Sequence, residues 1–357
     1  MINDDVILIV GGRKYGGWKE IEVVRSIETL ANGFSLTAAA KEDGSGADFQ
    51  FRAGAACSIA IGTEKLFDGW VEQVKPEYSD TGHSITVSGR DRTGDLVDCS
   101  AVHKTGSWRN ARIEAIAAEL AQPFGINVSA TADTGAPLAK FALQQGETVF
   151  AAIERMLRYR GLLAVSTVEG NVEIISPKKD GVDFAIDPAW LKEAQATHDT
   201  SERFSQYIVK GQASGSDNNH GAAVSKVRAE ATDPAVSRYR PMLVIGEEQS
   251  SIDALGKRAN WEAVTRSAKA QGATLTMAGW RTGKQLYAPN RIALLRDARL
   301  FIDSPMLLSS VTFLKGQVGT VSKIELAPPE AFGQLPVPEE RIASRVKAKA
   351  KAKGQKR

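Results

Sequence analysis

Cysteine is nearly absent from this sequence. Cys57 and Cys99 are the only two in 357 residues, too few for a disulfide framework or for a four-cysteine zinc or iron–sulfur site. Both are expected as buried small hydrophobic residues. Histidine is scarce too. His83, His103, His198 and His220 are scattered, with no pair at ligand spacing and no HExxH pattern, so no metal site is expected. No serine sits in a GxSxG elbow, and no catalytic or cofactor-binding residue is assigned. A run of about 20 apolar residues, enough to cross a bilayer, is missing. Asp4 and Asp5 stand where a signal peptide would carry positive charge. The chain is therefore expected to be made in the cytoplasm without a membrane anchor. Net charge is also small, +3 from 45 basic and 42 acidic residues, so no global field points to a nucleic acid or a membrane.

What the chain does have is enough apolar material for a large core. Hydrophobic residues make up 43% and charged residues 24%, as in ordinary globular proteins. The length predicts two or three domains, and 32 glycines predict many turns.

The first hundred residues read as short strands. An apolar run over 6–10 ends at Gly11-Gly12, and 18–27 alternates, with Glu20 and Glu22 on one parity and Ile21 and Val23 on the other. Further strands are predicted over 34–40, 58–61, 65–74 and 84–89, bounded by turn clusters such as Glu42-Asp43-Gly44-Ser45-Gly46. Many short strands between turns predict a small barrel or sandwich.

The period changes over 108–187. Ile113, Ile116, Ala117 and Leu120 recur at helical spacing after Ser107, a candidate N-cap, and Pro123 with Gly125 ends the helix. A second helix carries Val149, Ala152, Ile153, Met156 and Leu157 on one face and is closed at Gly161. A hairpin of 162–167 and 172–175 follows, turning at Glu169-Gly170-Asn171. This segment is an α+β insert.

Strand character returns from Ser205, interrupted by a polar loop over 214–221. A helix with Ile252, Leu255, Ala259, Ala263 and Val264 on its apolar face comes next. Strands are then predicted over 273–280, 291–295, 298–302, 307–314 and 319–326. The segment 84–89, Ser-Ile-Thr-Val-Ser-Gly, resembles 273–279, Ala-Thr-Leu-Thr-Met-Ala-Gly, which suggests two related barrels. Prolines at 328, 329, 336 and 338 break regular structure, and eight of the residues from Arg341 to Arg357 are Lys or Arg. This tail is either an arm that orders against an acidic partner or a solubilising terminus.

Three constellations raise the question of chemistry. Asp91, Asp95 and Asp98 are spaced to share one helix face, as a metal-binding cluster would be. Arg90 and Arg92 beside them favour salt bridges and capping instead. Gly11-Gly12-Arg13-Lys14-Tyr15-Gly16-Gly17 lacks the Lys-Ser/Thr and following helix of a phosphate loop, so a hairpin turn is expected. The tryptophans, Trp18, Trp70, Trp108, Trp190, Trp261 and Trp280, are spread as core residues or interface anchors and not as one stacking platform.

Two blocks carry a resemblance. The strand ending Ser88-Gly89-Arg90-Asp91, followed by Arg92-Thr93-Gly94-Asp95-Leu96-Val97-Asp98-Cys99-Ser100, resembles the end of the first barrel in Mu-like phage baseplate hub proteins. The block Gln145-Gly146-Glu147-Thr148-Val149-Phe150, continuing through Ile153, Arg155, Arg158, Arg160 and Gly161, is similar to a second part of that family. With the late strands ending Ile324-Glu325-Leu326, the resemblance covers residues 1 to about 332 and leaves the basic tail unmatched. The fold class it implies is mainly β with an α+β insert. Residues 1–98 would form the first β-barrel hub domain, 99–188 the α+β domain, 189–333 a second β-barrel hub domain with an inserted helix, and 334–357 the tail. The implied function is structural, not enzymatic. A homotrimer would form a ring joining the six-fold tail tube, or a distal tail protein, to the three-fold spike protein. It would also meet other baseplate proteins and leave a channel for the tape measure protein and DNA in transit. The location implied is the virion. A tail-associated hydrolase and a nucleic-acid-binding protein acting through its basic tail are the alternatives.

Overall fold

The computed structural model describes residues 4–40, 52–80, 82–158, 160–212, 227–249, 252–317 and 319–333. The predicted turn at 42–46, the loop at 214–221 and the basic tail at 341–357 lie outside the described residues. The fold is mainly β, with a few helices.

The N-terminal strands are β1 (Val6–Val10), β2 (Arg13–Tyr15), β3 (Glu20–Ser26), β4 (Gly33–Ala40), β5 (Ala56–Ile61), β6 (Glu64–Ser79) and β7 (Gly82–Asp91). Alternation drives them. In β3, Ile21 and Val23 are buried while Glu20 and Glu22 are exposed. Gly11 and Gly12, with φ of 57° and 80°, form a two-residue turn between β1 and β2 that needs left-handed backbone at both positions. The glycine-rich segment is thus a hairpin, and no helix follows it.

The single-turn α1 (Gly94–Asp98) leads into the insert, which runs through β8 (Ser107–Trp108), α2 (Ile113–Ala121), β9 (Val128–Ala130), β10 (Phe141–Ala142), α3 (Val149–Arg158), β11 (Leu163–Ser166) and β12 (Val172–Ile175). The two predicted apolar faces meet here in one cluster that includes Ile116, Leu120, Ile153 and Leu157. Ser107 is not the cap of α2. It pairs with Ala142 in a two-stranded sheet, and Arg112 holds the N-cap position without a side-chain cap bond.

The C-terminal part holds β13 (Phe184–Ala185), β14 (Leu191–His198), β15 (Gln206–Gln212), β16 (Val227–Thr232), β17 (Pro241–Gln249), α4 (Ile252–Lys269), β18 (Gln271–Ala278), β19 (Arg281–Thr282), β20 (Gln285–Leu286), β21 (Ile292–Asp297), β22 (Ile302–Gly316) and β23 (Gly319–Ala327). Strands β16-β15-β17 form a separate three-stranded sheet. Leu255, Ala259 and Ala263 of α4 pack on it, against Tyr207 and Val209. Ile252 and Val264, expected on that apolar face, are exposed. The strand expected over 298–302 is a short 3-10 turn, Ala298–Leu300. It ends at Phe301, whose left-handed φ of 55° breaks the extended run.

One 13-stranded sheet runs through both ends of the chain, in the order β14-β18-β23-β22-β3-β4-β7-β6-β5-β1-β2, with β21 beside β22 and β13 beside β21. The two halves join where β22 pairs antiparallel with β3. They also share one core, in which Leu8, Val23, Phe67, Leu275, Met306 and Phe313 are buried together. Arg281 on β19 adds an ion-pair link, meeting Asp4 and Glu64 of the first half.

The strand order repeats: β3-β4-β7-β6-β5 in the first half matches β14-β18-β23-β22-β21 in the second. Residues 33–39, Gly-Phe-Ser-Leu-Thr-Ala-Ala, therefore match 272–278, Gly-Ala-Thr-Leu-Thr-Met-Ala. The 84–89 segment belongs to β7, whose counterpart is β23. The sequence resemblance of 84–89 to 273–279 thus joins two strands that are not equivalent.

Candidate functional site

The face of this sheet turned away from the core is built of polar side chains, Ser and Thr alternating with Glu, Gln and Lys. Cross-strand registers arrange them in rows of four. In the first half one row is Glu20, Thr37, Thr86 and Lys75, and the next is Glu22, Ser35, Ser88 and Gln73. In the second half the equivalent rows are Glu193, Thr276, Lys323 and Thr312, then Gln195, Thr274, Glu325 and Ser310. Thr37 and Thr86 share a hydroxyl hydrogen bond of 3.0 Å. Four carboxylates stand against two lysines over the four rows, so the face is polar and slightly acidic. What it offers is a hydroxyl-rich wall.

The ends of this wall are open. The first part of β6 pairs with β5, whereas residues 73–78 have β7 on one side and no second strand among the described residues. Here Tyr78 is 84% exposed. At the other end, among the described residues, β14 pairs with β18 alone. Beside it are Trp190 and Phe301, 58% and 82% exposed. The His198 ring N–H donates to the Leu300 carbonyl at 2.8 Å, and the ring meets Phe301 edge-on. Open edges flanked by exposed aromatic residues have the character of assembly surfaces.

The segment 88–91 fixes the sheet to the insert. Gly89 has no side chain because a Cβ there would lie 2.0 Å from the Trp70 carbonyl oxygen and 3.0 Å from the Phe34 ring. Arg90 donates two hydrogen bonds to Asp98, at 3.1 and 2.5 Å, and one to Glu72 at 2.8 Å. These bonds hold the Asp98 carboxyl below its usual range. Asp91 is buried and accepts from the backbone of Asn32 (2.8 Å), the backbone of Thr93 (2.9 Å) and the Thr93 hydroxyl (2.5 Å). Burial nonetheless pushes its pKa up. The aspartates therefore do not converge: Asp91 closes β7, Asp95 lies in the first turn of α1, and Asp98 faces Arg90. Among the described residues, no three His, Cys, Asp or Glu side chains are grouped to hold a metal ion.

The remaining candidates are dispersed. Cys57 is buried, and desolvation, aided by Asp68, pushes its thiol up to about 12. Cys99, expected to be buried, is exposed because α1 ends there on the insert surface. His103 stacks on Trp108, whose indole donates to Glu119 at 2.6 Å. Trp18, Trp108 and Trp280 are core residues, whereas Trp190 is exposed. His220 lies outside the described residues. Among them, no helix is long and apolar enough to cross a membrane. The residues that sequence reasoning passed over are Tyr78, Gln195 and the other wall positions. The Glu-x-Glu parity of β3 was a signal, but which strand edges stay open depends on pairing between distant segments.

Comparison with known proteins gives a consistent set of relatives. Residues 5–91 match the family described as Mu phage baseplate assembly protein GpP-like, N-terminal. Residues 93–176 match baseplate hub protein gp44-like, second domain. Residues 203–261 match tail protein NMB1110-like, third domain, and 251–335 match Mu phage baseplate assembly protein GpP, fourth domain. The chain is 32% identical over 343 residues to baseplate hub protein gp44 of Escherichia phage Mu, covering 93% of this chain and 89% of that one. Among solved structures, the 43 kDa tail protein of prophage MuSo2 from Shewanella oneidensis superposes with a TM-score of 0.82 at 29% identity, covering 94% of this chain and all of that one. An Escherichia coli type VI secretion component, described as similar in structure to phage T4 tail proteins gp27 and gp5, superposes with a TM-score of 0.54 at 10% identity, over 93% of this chain and 77% of that one. At that identity the likeness concerns the fold alone.

Proposed function

Given that this chain belongs to the Mu-like phage baseplate hub family and is a structural protein of the phage tail, we propose that three copies close into a ring whose inner wall is the polar sheet face. The observation that carries this reading is the repeated set of rows headed by Glu20 and Glu193. Each chain supplies two similar lobes, so three chains give six. One end of such a ring fits a six-fold tail tube or distal tail protein and the other a three-fold spike protein.

A channel for DNA and the tape measure protein needs a wall that binds neither tightly, because each phosphate contact adds to the cost of sliding past. Hydroxyls with a slight excess of carboxylates meet that need, and a dense Lys/Arg lining would not. In this reading residues 1–98 and 189–333 are the hub lobes. Residues 99–188 lie on the periphery and meet other baseplate proteins. The role is assembly in the virion without enzymatic activity.

Native mass spectrometry of the purified chain, alone and with its spike protein, tests the proposal. A species of three times the 38.3 kDa chain is expected. A persistent monomer or dimer in both samples overturns the symmetry adaptor.

A further inference from the structure

Resting on the ring reading, we propose that each contact between copies is built on the pattern of the contact inside the chain: residues 73–78 of one copy lie antiparallel against β14 of the next. The internal joint pairs Thr312 with Val24 and Leu314 with Glu22. Both of its strands have counterparts whose edge is open among the described residues.

The register follows from the repeat. In the hairpin of β22 and β23, Gly316 faces Gly319; in that of β6 and β7, Ser79 faces Gly82. Counting back two and four residues from these turns equates Leu314 with Glu77 and Thr312 with Lys75. On the other strand, Glu22 faces Ser35 and Gln195 faces Thr274, at matching positions of the aligned segments 33–39 and 272–278. Val24 and Thr197 correspond in the same way, opposite Gly33 and Gly272. Glu77 of one copy therefore faces Gln195 of the next, and Lys75 faces Thr197.

This register repeats the offset of the internal joint, where Thr312 meets Val24, four residues beyond Glu20: Lys75 meets Thr197, four residues beyond Glu193, and Tyr78 becomes covered. It also sets a hierarchy. Pro76 stands where the internal joint has Phe313, so the joint between copies lacks that aromatic and one backbone donor. The chain folds through its strong joint and assembles through its weaker one.

Disulfide trapping in a Cys99→Ser background tests this, with a short bis-maleimide as a second linker. The double variant Glu77→Cys/Gln195→Cys is expected to give a covalent band at three times the chain mass on a non-reducing gel. The register-shifted pair Lys75→Cys/Glu193→Cys, both exposed, is expected to stay single-chain. A shifted pair that links while the first does not overturns the register. A trimer by native mass spectrometry that neither pair links overturns the joint and leaves the ring standing. Absence of any trimer in the unsubstituted chain removes the ring itself.

Discussion

Glu20 and Glu193 occupy the same position in the two halves of the sheet, each facing a threonine, Thr37 and Thr276, on the next strand. Neither takes part in the shared core, so a fold requirement does not account for a carboxylate at both sites. In the proposed ring, a charge requirement on the channel wall does.

The double substitution Glu20→Lys/Glu193→Lys isolates that requirement. Stability in urea should change by less than about 1 kcal/mol, as for exposed positions away from special features, and particles should assemble. DNA ejection should slow, and most at low salt, where phosphate contacts are strongest. Particle counts by electron microscopy set against infectivity measure the effect; unchanged ejection would place these residues away from the DNA path.

Phe313 faces Val23 across the internal joint and is fully buried. Phe313→Ala should cost about 3–5 kcal/mol, the usual loss for a large aromatic truncated in a core. Because the halves share one core, urea unfolding followed by tryptophan fluorescence and by far-UV dichroism should move together to lower denaturant. Separate transitions for the two halves would contradict a shared core.

Gly89→Ala should be worse than its single carbon suggests. The added Cβ meets backbone, the Trp70 carbonyl, and cannot be relieved by turning a side chain; a loss of about 2 kcal/mol or more is expected. Arg90→Ala next to it should cost about 1 kcal/mol or less, because its partners Glu72 and Asp98 are solvent-exposed. Chemical denaturation of the two variants side by side gives the ranking.

Much of this architecture was legible in the chain because period-2 alternation is strong where one sheet face is buried, as in Ile21 and Val23 against Glu20 and Glu22. The helices of the insert were legible for the same reason, in period 3.6. The pairing of β22 with β3 was not, since residues some 290 apart leave no local trace of it. Nor was the true repeat. In 33–39 and 272–278 the matched residues are Gly, Leu, Thr and Ala, common strand residues whose significance shows only once β4 and β18 hold the same place in the order. Phe301 breaks its predicted strand through a left-handed backbone that a phenylalanine gives no reason to expect.

The two cysteines should react very differently. Cys57 is buried with its thiol pushed up to about 12, so at pH near 8 it holds almost no thiolate, whereas Cys99 is exposed. A thiol-disulfide indicator should count one fast group per native chain and two after unfolding. Cys99→Ser should abolish the fast group.

Asp91 and Asp98 should respond to acid in opposite directions. Hydrogen bonds from Arg90 lower the pKa of Asp98. Its contribution is present above the unfolded value and lost as pH falls through the folded one. Burial raises the pKa of Asp91. The folded chain then holds that proton more tightly than the unfolded chain, so its contribution is full below the unfolded value and declines as pH rises through the folded one. Denaturation of the unsubstituted chain, Asp91→Asn and Asp98→Asn between about pH 2 and pH 8 separates the two, the lower part of the range reading Asp98 and the upper part Asp91. Acidification should favour the unsubstituted chain over Asp91→Asn and disfavour it against Asp98→Asn. A matching trend in both would mean that the hydrogen bonds to Asp91 outweigh its burial, and that the junction between sheet and insert is held by a charged carboxylate.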